Sequence, residues 1–248
     1  PGYWVALLIV SIWLGYDYVF RPGGLIRYFG FLQLYGNHAT AGGGISVAWT
    51  LCVEVSFYAA LPLLALGARG LGRRMPLLAS EFSVLGVMVL VSLVWQLVIT
   101  LAVPVSNTWF LSLLSMLPGS LDLFAAGMAL AIFSAEHEVV GRSRRWVALA
   151  ERRAWVFWVL AAVALYFEGT FPANVSITVA WMCTHALKAI GCMLLLAPLV
   201  VGAQDRGVLR RVLGWAPIVW LGTVSYGIYL WHFPPVSYTH LRAQETGR

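Results

Sequence analysis

Ile45-Ser-Val-Ala-Trp-Thr-Leu-Cys-Val-Glu-Val-Ser-Phe-Tyr-Ala-Ala-Leu-Pro-Leu-Leu-Ala-Leu66 is an apolar run with one carboxylate, Glu54, inside it. A bilayer crossing needs about 20 such residues as a helix. A carboxylate near the centre of a spanning helix costs roughly 2.5–3.5 kcal/mol, so it is kept where it faces a polar cavity or a partner. On a helix Thr50, Glu54 and Tyr58 follow one another at intervals of four and share one stripe. The run fixes the fold class as transmembrane α-helix, and the stripe marks the first candidate site.

The rest of the chain agrees. Of its 248 residues 60% are hydrophobic and 10% charged, against about 25% charged in an ordinary soluble domain. Apolar stretches recur at 3–20, 46–66, 82–103, 113–133, 155–167, 176–201 and 215–233. Seven spans of an all-α polytopic bundle are expected, the fifth borrowing flanking residues and the last being short. Pro62, Pro118, Gly119 and Pro198 are expected to mark kinks.

The net charge of +6 does not point to nucleic acid, because fifteen of the sixteen basic residues are Arg and most of these sit in short clusters between apolar runs. Loops 67–81, 134–154 and 202–214 hold eleven Arg, and the alternate loops 21–45, 104–112 and 168–175 hold two, Arg21 and Arg27. This bias predicts that the Arg-rich set is cytoplasmic. Loop 21–45, rich in Gly and aromatic residues, is expected at the interface or over a cavity mouth. Cys52, Cys183 and Cys192 fit no zinc or redox spacing and read as small buried hydrophobes.

Two further constellations carry chemistry. Ser225, Tyr229 and His232 share a helical face in Ser225-Tyr-Gly-Ile-Tyr-Leu-Trp-His232. Asp122 lies within the fourth stretch after Pro118-Gly119. Lys188, three residues after His185, is a candidate partner for Asp122 or Glu54. His232 reads evenly as a packing or a catalytic residue, and Asp122 reads as an ion-pair or cavity-lining group rather than a catalytic one. No nucleophile elbow, phosphate loop, metal pattern or nucleotide fingerprint occurs, and His38 and His137 carry little signal.

Three segments together resemble a known family. Trp49-Thr-Leu-Cys-Val-Glu54-Val-Ser-Phe57-Tyr58 with Pro62 resembles the Trp…Glu…Phe-Tyr…Pro signature of the acyltransferase 3 family of integral-membrane O-acyltransferases. Asp122-Leu-Phe124-Ala-Ala-Gly127-Met is similar to its Phe-x-x-Gly-Met segment. Ser225-Tyr226-Gly-Ile-Tyr229-Leu230-Trp231-His232 is similar to its late Ser-Tyr-x-x-Tyr-Leu-x-His element. The resemblance implies about ten helices and transfer of an acyl group, often acetyl, from a cytoplasmic thioester to a hydroxyl. Acetyl-CoA is the expected donor substrate, with no bound cofactor. The expected acceptor is a cell-surface carbohydrate or a related molecule, and the expected location is a bacterial inner membrane.

On this resemblance Glu54 and His232 are the catalytic candidates, and Trp49, Tyr58, Asp122, Ser225 and Tyr229 are candidates for substrate binding. The family's Arg…His pair, with the His as catalytic base, and a second arginine motif are expected upstream of Pro1, so this fragment is expected to be inactive. Residues 1–235 are read as the acyltransferase 3-like domain. Residues 236–248 are expected to be read-through, since one reverse translation of Ser237 to Leu241 resembles a transposon-end adaptor used in sequencing libraries. The competing class is a proton-coupled secondary transporter or flippase, in which Glu54, Asp122, Lys188 and His232 would line a path.

Overall fold

A computed structural model of the chain describes residues 2–140, 145–170, 174–201 and 208–232. Every regular element among the described residues is helical. Four helical spans there are long and apolar enough to cross a membrane: Ser46–Gly72, Leu77–Ala102, Phe110–His137 and Ile177–Val200. The protein is an integral-membrane helical bundle. The tail read as 236–248 lies outside the described residues.

The chain divides into two compact units. Unit 1 takes Pro1–Ala60, Ser106–Leu117 and Gly214–Arg248; unit 2 takes Leu61–Val105 and Pro118–Leu213.

In unit 1, α1 (Gly2–Trp13) leads to short turns α2 (Asp17–Phe20) and α3 (Pro22–Gly24) and a π-helical turn at Leu25–Phe29. Next come α4 (His38–Ala41), a 3₁₀ turn at Ser46–Ala48, and the first half of α5 (Trp49–Gly72). The expected span 3–20 is therefore not one helix. It stops at Trp13 because Gly15 adopts φ +68°, a left-handed turn that hydropathy does not register. The glycine-rich loop folds back on α1. Tyr3 donates to the Tyr28 carbonyl at 2.8 Å, and Trp4 donates to that of Phe29 at 3.0 Å. Phe31 holds a left-handed φ of 57° with its ring 4.7 Å from that of Tyr3. Tyr3, Ala6, Leu7, Val19, Tyr28, Ile45, Ala48 and Leu230 form the core of the unit. Burial there pushes the Tyr28 phenol up, with Tyr18 adding and Arg27 opposing. The last elements in unit 1 are α7 (Phe110–Ser115) and α13 (Ala216–Trp231).

Unit 2 contains α6 (Leu77–Ala102), α8 (Leu117–Val140), α9 (Arg145–Arg152), α10 (Ala154–Glu168), α11 (Ile177–Val200) and α12 (Val208–Leu213). The expected break at Pro118-Gly119 falls slightly earlier, at Met116, which is extended with ψ 162°. Pro118 instead sits in the first turn of α8, where its missing N–H costs nothing. α6 buries Ser80, Val84, Met88, Ser92, Gln96 and Ile99 along one face. α10 and α11 pack closely because small residues line their contact: Ala161 and Ala164 are buried, and a Cβ on Gly191 would stand 2.8 Å from the Leu165 side chain. On α9, Val147 and Ala150 are buried, and Val147 joins Leu130, Ala197 and Val201 in a core cluster.

Candidate functional site

α5 and α13 carry two of the motifs, and unit 1 brings them together. Thr50 stands opposite Tyr229, their hydroxyl oxygens 2.8 Å apart. Tyr229 also donates to the Val47 carbonyl at 2.6 Å, so its phenol is tied both to the 3₁₀ turn before α5 and to the first turn of α5. One turn further along both helices, Glu54 is exposed and lies within electrostatic reach of Tyr226. One turn in the other direction His232 places its ring 5.9 Å from that of Tyr229. His232 Nδ1 stands 2.7 Å from the Tyr229 carbonyl oxygen. A carbonyl can only accept, so Nδ1 carries the proton, and in the neutral ring the lone pair stands on Nε2.

The other sequence candidates in unit 1 are placed less tightly. Tyr58 continues the stripe but is 65% exposed, with its ring 6.2 Å from Phe57. Trp49 opens α5 and is 39% exposed. Ser225 donates to the carbonyl of Gly222 on its own helix at 2.7 Å. Tyr35, from the glycine-rich loop, shares a 2.6 Å hydrogen bond with Ser56 on α5. This loop therefore folds onto the same helix that presents Glu54.

Asp122 belongs to a different constellation, within unit 2. Ser92 donates to Asp122 Oδ1 at 2.9 Å, and His185 Nε2 lies 3.1 Å from the same oxygen. Gln96 donates to Ser92 Oγ at 3.1 Å and to the Gly119 carbonyl at 2.9 Å. Lys188 is not the partner of Asp122 or of Glu54. It pairs with Glu168 of α10 at 3.1 Å, because the end of α10 falls level with this turn of α11: Thr184, one turn earlier, donates to the Glu168 carbonyl. Reading the sequence alone singles out neither Ser92 nor Gln96, although Ser92, Gln96 and Thr100 repeat the spacing of four that reveals Glu54.

Of the three cysteines, all free, only Cys52 is buried; Cys183 is half-buried and Cys192 exposed. The reading as buried hydrophobes fails for Cys192 because it lies on an uncovered face of α11. Unit 2 also holds a cavity of about 400 Å³ among α5, α6 and α8, walled by Leu61, Leu64, Leu85, Met128 and Ile132, with Arg69 and Glu81 its charged lining residues. Among the described residues no three His, Cys, Asp or Glu side chains gather as metal ligands.

A Bacillus subtilis (strain 168) protein that bears the provisional name peptidoglycan O-acetyltransferase YrhL is 61% identical over 28 residues. That stretch is 11% of this chain and 4% of the relative, so the chain matches only a small part of that protein. No solved structure matches. The sequence profile of the acyltransferase 3 family, an acyltransferase domain, matches residues 2–246. With that match covering nearly its whole length, the chain belongs to the acyltransferase 3 family of integral-membrane acyltransferases.

Proposed function

We propose that the whole protein moves an acyl group, acetyl by expectation, from a cytoplasmic thioester such as acetyl-CoA to a hydroxyl of a cell-surface carbohydrate. The Arg-rich loops support a cytoplasmic donor side in a bacterial inner membrane. The name of the Bacillus relative makes peptidoglycan one acceptor to test first.

Attack of a hydroxyl on a thioester carbonyl needs a group to take the alcohol proton and donors for the oxyanion that develops. The observation that carries the proposal is the Thr50–Tyr229 contact, which sets the Glu54 motif and the His232 motif on facing helices. Glu54, exposed on that face, orients a basic group or holds an arginine of the donor pocket. His232, oriented by the hydrogen bond from Nδ1 to the Tyr229 carbonyl, presents its imidazole to the acyl-transfer face. Tyr58, Tyr229, Ser225 and Trp49 shape the surrounding surface. In a low-dielectric interior such charges act strongly.

The test is a labelled-acetyl assay on cell-envelope material from cells carrying the full-length gene, wild type against Glu54→Gln. At equal expression the variant is expected to transfer at least about tenfold less, a loss of about 1.4 kcal/mol in transition-state stabilisation. Near-normal turnover removes Glu54 from the mechanism. No label in the wild type removes the reading altogether.

A further inference from the structure

Gln96, Ser92, Asp122 and His185 make one continuous hydrogen-bonded chain across α6, α8 and α11. At 1.5 Å per residue, Gln96 lies about 9 Å and Ser92 about 15 Å from the end of α6 at Ala102. His185 lies about 12 Å from the start of α11 at Ile177. The hydrogen-bonded chain thus sits well inside α6 and α11, level with the end of α10, where Thr184 donates to the Glu168 carbonyl. The nearby charged groups on the packed helices are Lys188 of α11 and Glu168 of α10, and these pair with each other. α6 contributes Ser92, Gln96 and Thr100, none of which titrates.

In such a place the sum of charges matters more than either group. Carboxylate plus imidazole with one added proton is neutral, whether the proton rests on Nε2 or on Oδ1. Without that proton the pair is left at −1, and with a second one at +1, and the low dielectric penalises both. The exposure pattern gives that proton a route for exchange. Ser92 and Gln96 are sealed at 0% and 1% exposure, whereas the Asp122 and His185 side chains keep 11% and 12%. At the far end Gln96 Oε1 is buried without a hydrogen-bond partner, the kind of atom that calls for an explanation in function.

We propose that the Asp122–His185 dyad, extended by Ser92 and Gln96, is a proton-binding site in the membrane interior that exchanges a proton during acyl transfer. The second half of this statement rests on the acyl-transfer reading above. When a thioester acylates a hydroxyl, the O–H and C–S bonds break and C–O and S–H bonds form. No proton is gained or lost overall, but one must pass from oxygen to sulfur. The neutral dyad serves as a reservoir for that transfer: it releases its proton as the thiolate forms and regains one as the hydroxyl is deprotonated, which returns it to its starting state.

The experiment uses the full-length protein in nanodiscs and compares wild type, Asp122→Asn, His185→Gln and Ser92→Ala. Infrared difference spectra between acid and alkaline pH are expected to show carboxyl and imidazole bands. Asp122→Asn and His185→Gln should each remove both, because on this proposal the two groups share one proton, and Ser92→Ala should shift the carboxyl band. The pH profile of transfer in Asp122→Asn is expected to differ from wild type by at least about tenfold at one limb. A wild-type spectrum with no band that either substitution removes overturns the site. Bands present, but an unchanged pH profile in a fully active Asp122→Asn protein, overturns the exchange with the reaction. If Asp122→Asn fails to accumulate, His185→Gln and Ser92→Ala decide the same questions. Bands in a wild-type protein that transfers no acyl group reject the acyl-transfer reading and support the proton site by itself.

Discussion

Thr50 and Tyr229, 179 residues apart, bring their hydroxyl oxygens to 2.8 Å inside unit 1. Tyr229 Oη also donates to the Val47 carbonyl, so one phenol fastens α13 to the 3₁₀ turn that leads into α5 as well as to Thr50 of α5 itself. Interhelical hydrogen bonds in membranes contribute about 0.6 kcal/mol on average and up to about 1.7. Tyr229→Phe removes both bonds and should destabilise by about 1–2 kcal/mol, whereas Thr50→Val, nearly isosteric, should lose about half of that. A double-mutant cycle on thermal unfolding in detergent checks the pair: the two losses should not add. Strict additivity would show that the bond contributes no coupling.

The hydrogen bond of His232 makes a sharper prediction about chemistry. Asn at this position can reproduce the Nδ1–H donor toward the Tyr229 carbonyl but has nothing in place of Nε2. His232→Asn in the full-length protein should therefore keep its melting temperature while transfer falls at least about tenfold, a difference of about 1.4 kcal/mol. Equal activity would confine His232 to closing the end of α13.

Local periodicity explains why Glu54, Thr50 and Tyr58 are legible in the amino-acid sequence: a spacing of four residues defines a stripe on any α-helix. The same rule applied to α6 picks out Ser92, Gln96 and Thr100. Pairing across helices is not legible in this way, because it depends on how elements of different length line up. Lys188 has several carboxylates within the sequence, and only the level at which α10 ends selects Glu168. In the sequence His185 stands out only as a neighbour of Lys188, yet it is the residue that reaches Asp122. Hydropathy also overextends the first span through Gly15, since a left-handed turn leaves no trace in an apolarity profile.

The Lys188–Glu168 pair can be tested by exchange. Lys188→Glu sets a second carboxylate opposite Glu168 and should lower accumulation of the full-length protein several-fold. The double exchange Glu168→Lys with Lys188→Glu should restore it, whereas exchanging Asp122 with Lys188 should not. Quantitative immunoblotting of membrane fractions reads both. Both side chains are partly exposed, at 45% and 27%, so the restored margin should be modest, about 1 kcal/mol or less.

Gly44 tests how firmly the glycine-rich loop is held on α1. Its φ of +68° is disfavoured for a residue with a Cβ by roughly 1–2 kcal/mol, and that Cβ would stand 2.9 Å from Leu7 Cδ1. Next to it, a Cβ on Gly43 would run into the Tyr28 phenol, which burial already holds in one place. Gly44 also donates its N–H to Tyr18 Oη at 3.0 Å, so a shifted backbone would release a second tyrosine. Gly44→Ala should therefore destabilise unit 1 by about 2 kcal/mol, and Gly43→Ala by a similar amount. Gly23→Ala is the control, since its Cβ would meet nothing within 4 Å. Limited proteolysis within residues 30–44 is the readout: both disruptive variants should be cut faster than wild type, and the control should not. Cleavage of Gly44→Ala at the wild-type rate would mean that the loop is not held by this contact with Leu7 and Tyr28.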